Sequence, residues 1–130
     1  MKTTILFILA LGLSLPGFAK AADPDRHKCA LTVVALVKVK SGLEDEFKKN
    51  AHAILDPTRK EVGNISYNFH QSLSDKTVFD TFEQWSQVED LDAHMNSEHM
   101  KSFFSQVGSY FAEGYPVIQT LKNIECGNGQ

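Results

Sequence analysis

Two histidines in the second half of the chain are the side chains best suited to accept a proton. His94 and His99 carry imidazole rings, which titrate near neutral pH, and His94 lies beside the apolar stripe of a predicted helix. His94 is therefore our first candidate for a general base, and His99, at the start of the next helical segment, is the alternative. A solvated or helix-capping role for His94 is the competing interpretation.

Aromatic side chains are placed to line a pocket between a sheet and its helices. They are Tyr67, Phe69, Phe79, Trp85, Phe103 and Phe104. The phenylalanines also suit an ordinary core, whereas Tyr67 and Trp85 each carry a polar group that needs a partner when buried. Glu83 shares strand parity with Trp85, so it points to the same face, where it orients a histidine or, as the favoured role, pairs with Arg59.

The sequence argues against a metal site. His94 and Glu98 are four residues apart and could touch one ion, but a metal site needs three or four converging ligands, and no further pair is evident. The chain also has no His-Glu-x-x-His, no cysteines at two-residue spacing, no glycine-rich phosphate loop and no Gly-x-Ser-x-Gly. We therefore expect no metal.

Composition and charge fit one small domain. The 130 residues are 42% apolar and 22% charged, which argues against disorder and repeat arrays. The formal net charge is −3 and no long cluster of Lys and Arg occurs, so nucleic acid is not an expected partner.

Residues 1–21 are expected to be a cleavable secretory signal. Lys2 precedes an apolar stretch at 5–15 that is too short to span a bilayer, and Ala19 and Ala21 form a small-x-small cleavage site. Residues 22–130 would then be a single exported domain, periplasmic or extracellular, without a membrane anchor. An uncleaved N-terminal anchor is the alternative.

Four segments have the pattern of β-strands. Residues 30–40 are apolar at both parities, which predicts a strand buried on both faces. Further strands are predicted at 65–70, 77–85 and 116–124. Helical regions follow the first and third strands, so the order is βαββαβ. This order predicts a ferredoxin-like α+β fold, with two helices on one side of a four-stranded antiparallel sheet.

The two helical regions show periodic apolar stripes. The stripe of the first consists of Leu43, Phe47, Ala51, Ile54 and Thr58. The second region is interrupted at 96–97 and continues to near Gly114. Ser41 with Glu44, and Ser86 with Glu89, have the spacing of capping boxes, so a helix is predicted to begin at each serine.

The two cysteines are expected to form a disulfide. In the predicted topology the first and last strands are antiparallel neighbours, so the start of one lies beside the end of the other. Cys29 and Cys126 occupy those ends, and an exported domain meets the oxidising conditions in which disulfides persist. Two free thiols are the alternative.

Three stretches of the chain carry a resemblance to a known family. They are Val-Lys-Val-Lys-Ser-Gly at 37–42 with Phe47, Pro-Thr-Arg-Lys-Glu-Val-Gly-Asn-Ile-Ser-Tyr at 57–67, and Phe-Glu-Gln-Trp at 82–85 followed by Leu-Asp-Ala-His at 91–94 and Ser-Glu-His at 97–99. Together they resemble the antibiotic biosynthesis monooxygenase family of dimeric α+β barrels, which includes quinol monooxygenases and autoinducer-2-processing proteins. The resemblance implies a homodimer whose two sheets face each other, in agreement with a first strand that is apolar on both faces.

The resemblance implies a monooxygenase that uses neither metal nor flavin, in which a small phenol or quinol loses a proton and reacts with dioxygen. Such chemistry needs a base and an aromatic pocket that excludes water, and His94 matches the family's Asp-Ala-His position. The implied catalytic residues are His94, Trp85 and Tyr67, and the implied pocket residues are Glu83, His99, Phe69, Phe79, Phe103 and Phe104.

The residues leave alternatives to this reaction. The haem-degrading branch of the family, which has an Asn on the first strand and a haem-ligating His on the last long helix, is a poorer match. Here the first strand has no Asn, and the helix positions that align with the histidine are Phe103 and Phe104. We therefore expect no cofactor. The rival function is a non-enzymatic dimeric module that binds a small ligand, or an isomerase-like family member that acts on a small signal molecule.

Overall fold

The computed structural model describes residues 29–126, so the predicted signal at 1–21 lies outside the described residues. The strands are β1 (Leu31–Lys38), β2 (Asn64–Gln71), β3 (Val78–Trp85) and β4 (Val117–Leu121). The helices are α1 (Glu44–Arg59), α2 (Val88–Met95) and α3 (Glu98–Val107), and a short 3₁₀ turn, Gly108–Tyr110, follows α3. Among the described residues, no helix is long and apolar enough to cross a membrane.

The four strands form one sheet in the order β2-β3-β1-β4, and every neighbouring pair is antiparallel. The first and last strands are neighbours, with Ala35 opposite Ile118. This is the predicted ferredoxin-like α+β fold.

The inner face of the sheet packs against the helices and contains the core. Phe47 of α1 is fully buried, and its ring centroid lies 4.8 Å from that of Phe79 on β3. Ala51, Ile54 and Thr58 of α1 are also buried. The predicted stripe is therefore confirmed at every position except Leu43, which is half-buried. Burial of this apolar face is what holds α1 on the sheet.

The outer face of the sheet is open in the single chain. Val33, Ala35 and Val37 of β1 point inward and are buried, whereas Leu36 points outward and is 38% exposed. In the single chain β1 is therefore buried on one face only, and burial of its second face by a partner subunit stays a prediction. Other apolar side chains exposed on this outer face are Phe82, Val117 and Leu121.

Neither predicted capping box forms. Helix α1 begins at Glu44, whose carboxylate accepts the backbone N–H of Gly42 at 2.9 Å. The Ser86 hydroxyl donates to the carbonyl of Gly63 at 3.1 Å, so it ties the end of β3 to the turn before β2 instead of starting α2. Neither serine therefore caps a helix: Leu43 and Gln87 precede α1 and α2, and neither makes a side-chain cap hydrogen bond.

The second helical region ends earlier than predicted. Ser97 caps the start of α3, since its side chain accepts the N–H of Met100, and the helix ends at Val107 instead of near Gly114. The backbone beyond it turns back to the sheet: the N–H of Lys40 donates to the carbonyl of Tyr110 at 2.8 Å, and Ala112 donates to Lys38 at 2.8 Å. These long-range hydrogen bonds override the helical periodicity of the segment.

The predicted disulfide is present. Cys29 and Cys126 are bonded, with their Cα atoms 5.7 Å apart and a sequence separation of 97. The bond joins Cys29, two residues before β1, to Cys126, five residues after the end of β4. A disulfide of this kind is typical of proteins in oxidising compartments.

Candidate active site

A cavity of about 220 Å³ lies between the inner face of the sheet and the helices α2 and α3. Its walls are mainly apolar, with aromatic side chains from Tyr67, Phe69, Phe103, Phe104 and Phe111. The polar side chains in the walls are Thr81, Glu83, Asp92, His94 and Thr120. A pocket with few polar groups among aromatic ones suits a small apolar ligand.

The cavity brings together most of the site residues predicted from the sequence. Tyr67, Phe69, Glu83, His94, Phe103 and Phe104 all line it. Three others lie outside its walls. Phe79 packs against Phe47 in the core, Trp85 stacks against His94 with ring centroids 4.7 Å apart, and the ring of His99 lies 5.9 Å from that of His94.

The carboxylate of Glu61 orients the His94 ring. Nδ1 of His94 lies 2.7 Å from Oε2 of Glu61, and the His94 side chain is 1% exposed. Because a carboxylate oxygen can only accept a hydrogen bond, this contact requires the proton on Nδ1 and leaves Nε2 as the acceptor of the neutral ring. Nε2 is buried and has no hydrogen-bond partner within residues 29–126. A side chain in the cavity wall thus carries an unused proton acceptor.

Burial sets the protonation states around the cavity. It lowers the pKa of His94 to about 4, against a smaller upward effect of the Glu83 carboxylate. Burial also raises the pKa of Glu61, where the nearby His99 acts in the opposite direction. The pKa of Tyr67 is raised by burial and by the Glu83 and Glu61 carboxylates. At neutral pH, His94 is therefore a neutral imidazole and Tyr67 a neutral phenol.

Glu61 is a candidate site residue that the sequence patterns did not indicate. It lies two residues after the end of α1, where its N–H donates to the carbonyl of Thr58 at 3.0 Å, and Gly63, with a φ of 81°, then turns the chain into β2. From this turn, Oε1 of Glu61 also lies 3.1 Å from Nε2 of His99. Glu61 and His94 are 33 residues apart, so no spacing rule predicts the pair. The available signal was the position of Glu61 inside the 57–67 stretch that carries the family resemblance.

The position of Glu61 also corrects the sequence argument about metal ligands. The four-residue spacing pairs His94 with Glu98, but the Glu98 side chain is 96% exposed and lies 3.7 Å from Lys101. Glu61, His94 and His99 instead bring a carboxylate oxygen and two ring nitrogens within 4.8 Å of one another. The premise that further converging ligands are lacking was therefore wrong, since these donors are ones that divalent transition metals prefer.

Glu83 holds Trp85 instead of pairing with Arg59. Oε2 of Glu83 accepts the indole N–H of Trp85 at 3.0 Å, and Oε1 accepts the hydroxyl of Thr81 at 2.9 Å. Arg59 donates to the carbonyl oxygen of Tyr67 at 3.1 Å. The expected ion pair is wrong because alternate residues of β3 share the inner face, which places the carboxylate between its own strand neighbours.

Curated proteins and a family description match most of the domain. Residues 30–106 match the family described as "Antibiotic biosynthesis monooxygenase". The chain is 29% identical over 89 residues to the uncharacterized protein sll1783 of Synechocystis, a match that covers 68% of this chain and 60% of that protein's length. It is 22% identical over 90 residues to the "Putative monooxygenase YcnE" of Bacillus subtilis, covering 69% of this chain and 95% of that one.

Solved structures show the same fold. The crystal structure of PA3566 from Pseudomonas aeruginosa has a TM-score of 0.68 at 26% identity, and covers 74% of this chain and 95% of that one. A conserved protein from Methanosarcina mazei has a TM-score of 0.69 at 27% identity, and covers 74% and 94%. Since the family match spans more than half of the chain and its fold is the one described above, this protein belongs to the antibiotic biosynthesis monooxygenase family.

Proposed function

We propose that this protein is a monooxygenase that oxidises a small quinol or phenol with dioxygen and uses no bound cofactor. In this reaction one atom of O₂ enters the aromatic ring and the other leaves as water. A quinol itself supplies the four electrons and both hydrogens of that water. Hydroquinone, for example, would give hydroxyquinone and water.

The pairing of His94 with Glu61 is the observation that carries the proposal. Nδ1–H of His94 is held by the Glu61 carboxylate, and Nε2 is left without a partner in a side chain that lines the cavity. A phenol bound there transfers its proton to Nε2, and the phenolate that forms donates electrons to O₂ more readily than the phenol does. Glu61 then stabilises the imidazolium, as the carboxylate of a catalytic triad does.

Burial keeps His94 neutral before the reaction, and two carboxylates face the charge that the ring then gains. Its lowered pKa, about 4, keeps the ring unprotonated at neutral pH. The positive charge that the ring gains during proton transfer faces the carboxylates of Glu61, in direct contact, and of Glu83. Because these groups are already in place, the transfer needs little reorganisation around the ring.

The size and lining of the cavity suit a substrate with one ring. An apolar cavity of about 150 Å³ accommodates benzene, and the cavity here measures about 220 Å³. The rings of Tyr67, Phe69 and Phe103 offer apolar contacts to an aromatic substrate. Exclusion of water by these side chains protects the radical or peroxide intermediates that follow proton loss.

The proposal includes a homodimer and an exported location. Leu36, Phe82, Val117 and Leu121 leave the outer sheet face 38–46% exposed at apolar positions, and a second copy of the chain would cover it. The Cys29–Cys126 disulfide favours an oxidising compartment. Light scattering should give the mass of a dimer, and cell fractionation should place the protein outside the cytoplasm. A stable monomer or a cytoplasmic protein would contradict these two parts.

Oxygen uptake by the purified, EDTA-dialysed protein tests the reaction. A panel of single-ring hydroquinones is mixed with the protein anaerobically and then exposed to O₂, and we expect uptake of one O₂ per quinol consumed. His94→Asn keeps an N–H donor towards Glu61 but lacks the Nε2 acceptor, so its rate should fall about 10²–10⁴-fold. His70→Asn is the matched control, because His70 is an exposed histidine that pairs with Asp80 at 2.8 Å.

Three outcomes would contradict the proposal. Uptake no faster than the blank without protein, together with binding of the hydroquinones, would favour a ligand-binding module. A product isomeric with the substrate, formed without oxygen uptake, would favour an isomerase. Absorbance of a bound flavin or haem in the active protein would contradict the part of the proposal that excludes a cofactor.

A further inference from the structure

Glu61, His94 and His99 form a cluster beside the cavity that the proposed proton transfer uses only in part. We propose that these three side chains bind one divalent transition-metal ion, and the two imidazoles and one carboxylate of the cluster suit Zn²⁺. The bound ion inhibits the enzyme because it occupies Nδ1 of His94. The proposed inhibition rests on the proposed function. The proposed metal binding rests only on the geometry of the cluster.

The donor atoms are already close to the spacing that an ion requires. Nδ1 of His94 lies 2.7 Å from Oε2 of Glu61, and Nε2 of His99 lies 3.1 Å from Oε1 of the same carboxylate. Zinc bonds to nitrogen and oxygen are about 2.0–2.2 Å long, so ligand atoms around a tetrahedral ion lie about 3.3 Å apart. The three donor atoms lie within 4.8 Å of one another, so shifts of up to about 1.5 Å would bring them to this spacing.

The chemistry of the cluster selects the class of ion. Two imidazoles with one carboxylate suit Zn²⁺ and similar transition metals, whereas Mg²⁺ and Ca²⁺ favour sites built from oxygen. Nε2 of His99 also lies 3.2 Å from the Thr58 hydroxyl and 3.3 Å from the Ser97 hydroxyl, so the cluster has polar surroundings in which a water molecule can complete the coordination.

The partial exposure of two of the three side chains gives an ion a route from solvent into the cluster. His94 is 1% exposed, whereas the side chains of Glu61 and His99 are 19% and 23% exposed. An ion can therefore reach Glu61 and His99 from solvent and then engage the buried His94. The cavity is not needed as an entrance, because neither Glu61 nor His99 lines it.

Binding of the ion changes the tautomer of His94. A metal on Nδ1 needs the lone pair of that nitrogen, so the Nδ1 proton leaves to solvent and the neutral ring takes a proton on Nε2. The ring then has no free acceptor for the proton of a phenol. The same ion withdraws the Glu61 carboxylate from stabilising the imidazolium. Zinc should therefore inhibit oxygen uptake.

Calorimetric titration of the EDTA-dialysed, disulfide-bonded protein with Zn²⁺ tests the site. We expect one ion per chain, and at least tenfold weaker binding in Glu61→Gln and in His99→Gln. His70→Asn again serves as the control, because it removes an exposed histidine with a carboxylate neighbour elsewhere in the fold. Equal affinity in the parent and in both cluster variants, or loss of binding in His70→Asn alone, would overturn the site.

Two further readouts separate this proposal from the proposed function. ¹⁵N NMR of the His94 ring should show the proton on Nδ1 without metal and on Nε2 with Zn²⁺, whether or not the protein has activity. Oxygen uptake of the metal-free protein should fall at least tenfold when the site is filled. Cluster-dependent Zn²⁺ binding by a protein that oxidises no quinol would overturn the function and leave the site intact. Full activity of the zinc-loaded protein would overturn the inhibition.

Discussion

Nδ1 of His94 and Oε2 of Glu61 lie 2.7 Å apart, although one residue is on α2 and the other follows α1. This contact aligns a buried imidazole with its proton on the nitrogen that faces the carboxylate. Proton acceptance by Nε2 and metal binding at Nδ1 are therefore mutually exclusive uses of one ring.

Replacing Glu61 tests its role as a positioning residue. Glu61→Gln retains an oxygen that accepts Nδ1–H but removes the negative charge, so the imidazolium should be less stable during proton transfer. We expect kcat for hydroquinone oxidation to fall about 10–10³-fold, with KM changed less than about threefold. Steady-state oxygen uptake measures both values. A rise in KM with an unchanged kcat would mean that Glu61 shapes the cavity and does not assist the base.

Protonation of His94 at acid pH should lower the free energy of unfolding of the metal-free protein. The ordinary pKa of histidine is 6.5 and that of buried His94 is about 4, so between these pH values the unfolded chain binds a proton that the folded chain does not. This contribution to stability is complete above pH 6.5 and is lost as the pH falls towards 4.

Urea unfolding of the parent and of His94→Asn across this range isolates the effect. The stability difference between them should shrink by about 1–3 kcal/mol from pH 7 to pH 4, since one pKa unit corresponds to about 1.4 kcal/mol. A difference that does not change with pH would show that His94 titrates alike in the folded and unfolded chains.

Replacing the Glu83 carboxylate by the neutral amide of Gln should destabilise the protein. Its two oxygens accept the indole N–H of Trp85 and the hydroxyl of Thr81, and all three side chains are buried. Glu83→Gln turns an NH₂ group towards one of these donors, which should cost about 1–3 kcal/mol of unfolding free energy. Trp85 is the only tryptophan in the chain, so its fluorescence follows both the unfolding and the local change. Unaltered stability and emission would contradict the hydrogen bonds described here.

Gly63 should be the least replaceable glycine of the described segment. It has a φ of 81°, and a Cβ there would collide with the Asp90 side chain, whereas Gly114 has a φ of 80° and open space around it. We expect Gly63→Ala to cost about 2–4 kcal/mol and Gly114→Ala about 1 kcal/mol, because only the first adds a clash to the backbone strain. Thermal unfolding compares the two. Equal losses would mean that Asp90 moves aside freely.

The disulfide should contribute substantially to stability. It closes a loop of 97 residues, for which the chain-entropy relation predicts about 4–5 kcal/mol. Cys29→Ser with Cys126→Ser should lower the urea midpoint by a corresponding amount. Thiol titration of the denatured parent, without reductant, should find no free thiol, and two per chain would disprove the bond.

The sequence by itself determined the strands, the core face of α1 and the sheet order. Alternation in β2 and the helical repeat of Phe47, Ala51 and Ile54 are short-range patterns, which follow directly from the geometry of a strand and a helix. The disulfide was predictable for a related reason. Once β1 and β4 are neighbours, Cys29 and Cys126 must be close.

Local patterns failed where a distant segment offered a competing hydrogen bond. Ser86 has the spacing of a helix cap but binds the carbonyl of Gly63, and the apolar repeat after Val107 yields to backbone bonds between Tyr110 and Lys40. Each of these partners lies more than 20 residues away in sequence, and no window along the chain contains both groups.

In the candidate site, too, the sequence indicated single residues, whereas the tertiary structure decided their long-range contacts. The sequence indicated candidate side chains by type and position: His94 beside a helical stripe, Tyr67 by its polar group, and Glu83, by strand parity, on the face that carries Trp85. All three line the cavity. Only the tertiary structure decided that Glu61 meets His94 and His99. That contact depends on where the turn after α1 lies relative to α2 and α3, and a contact between separate elements leaves no period or spacing in the sequence.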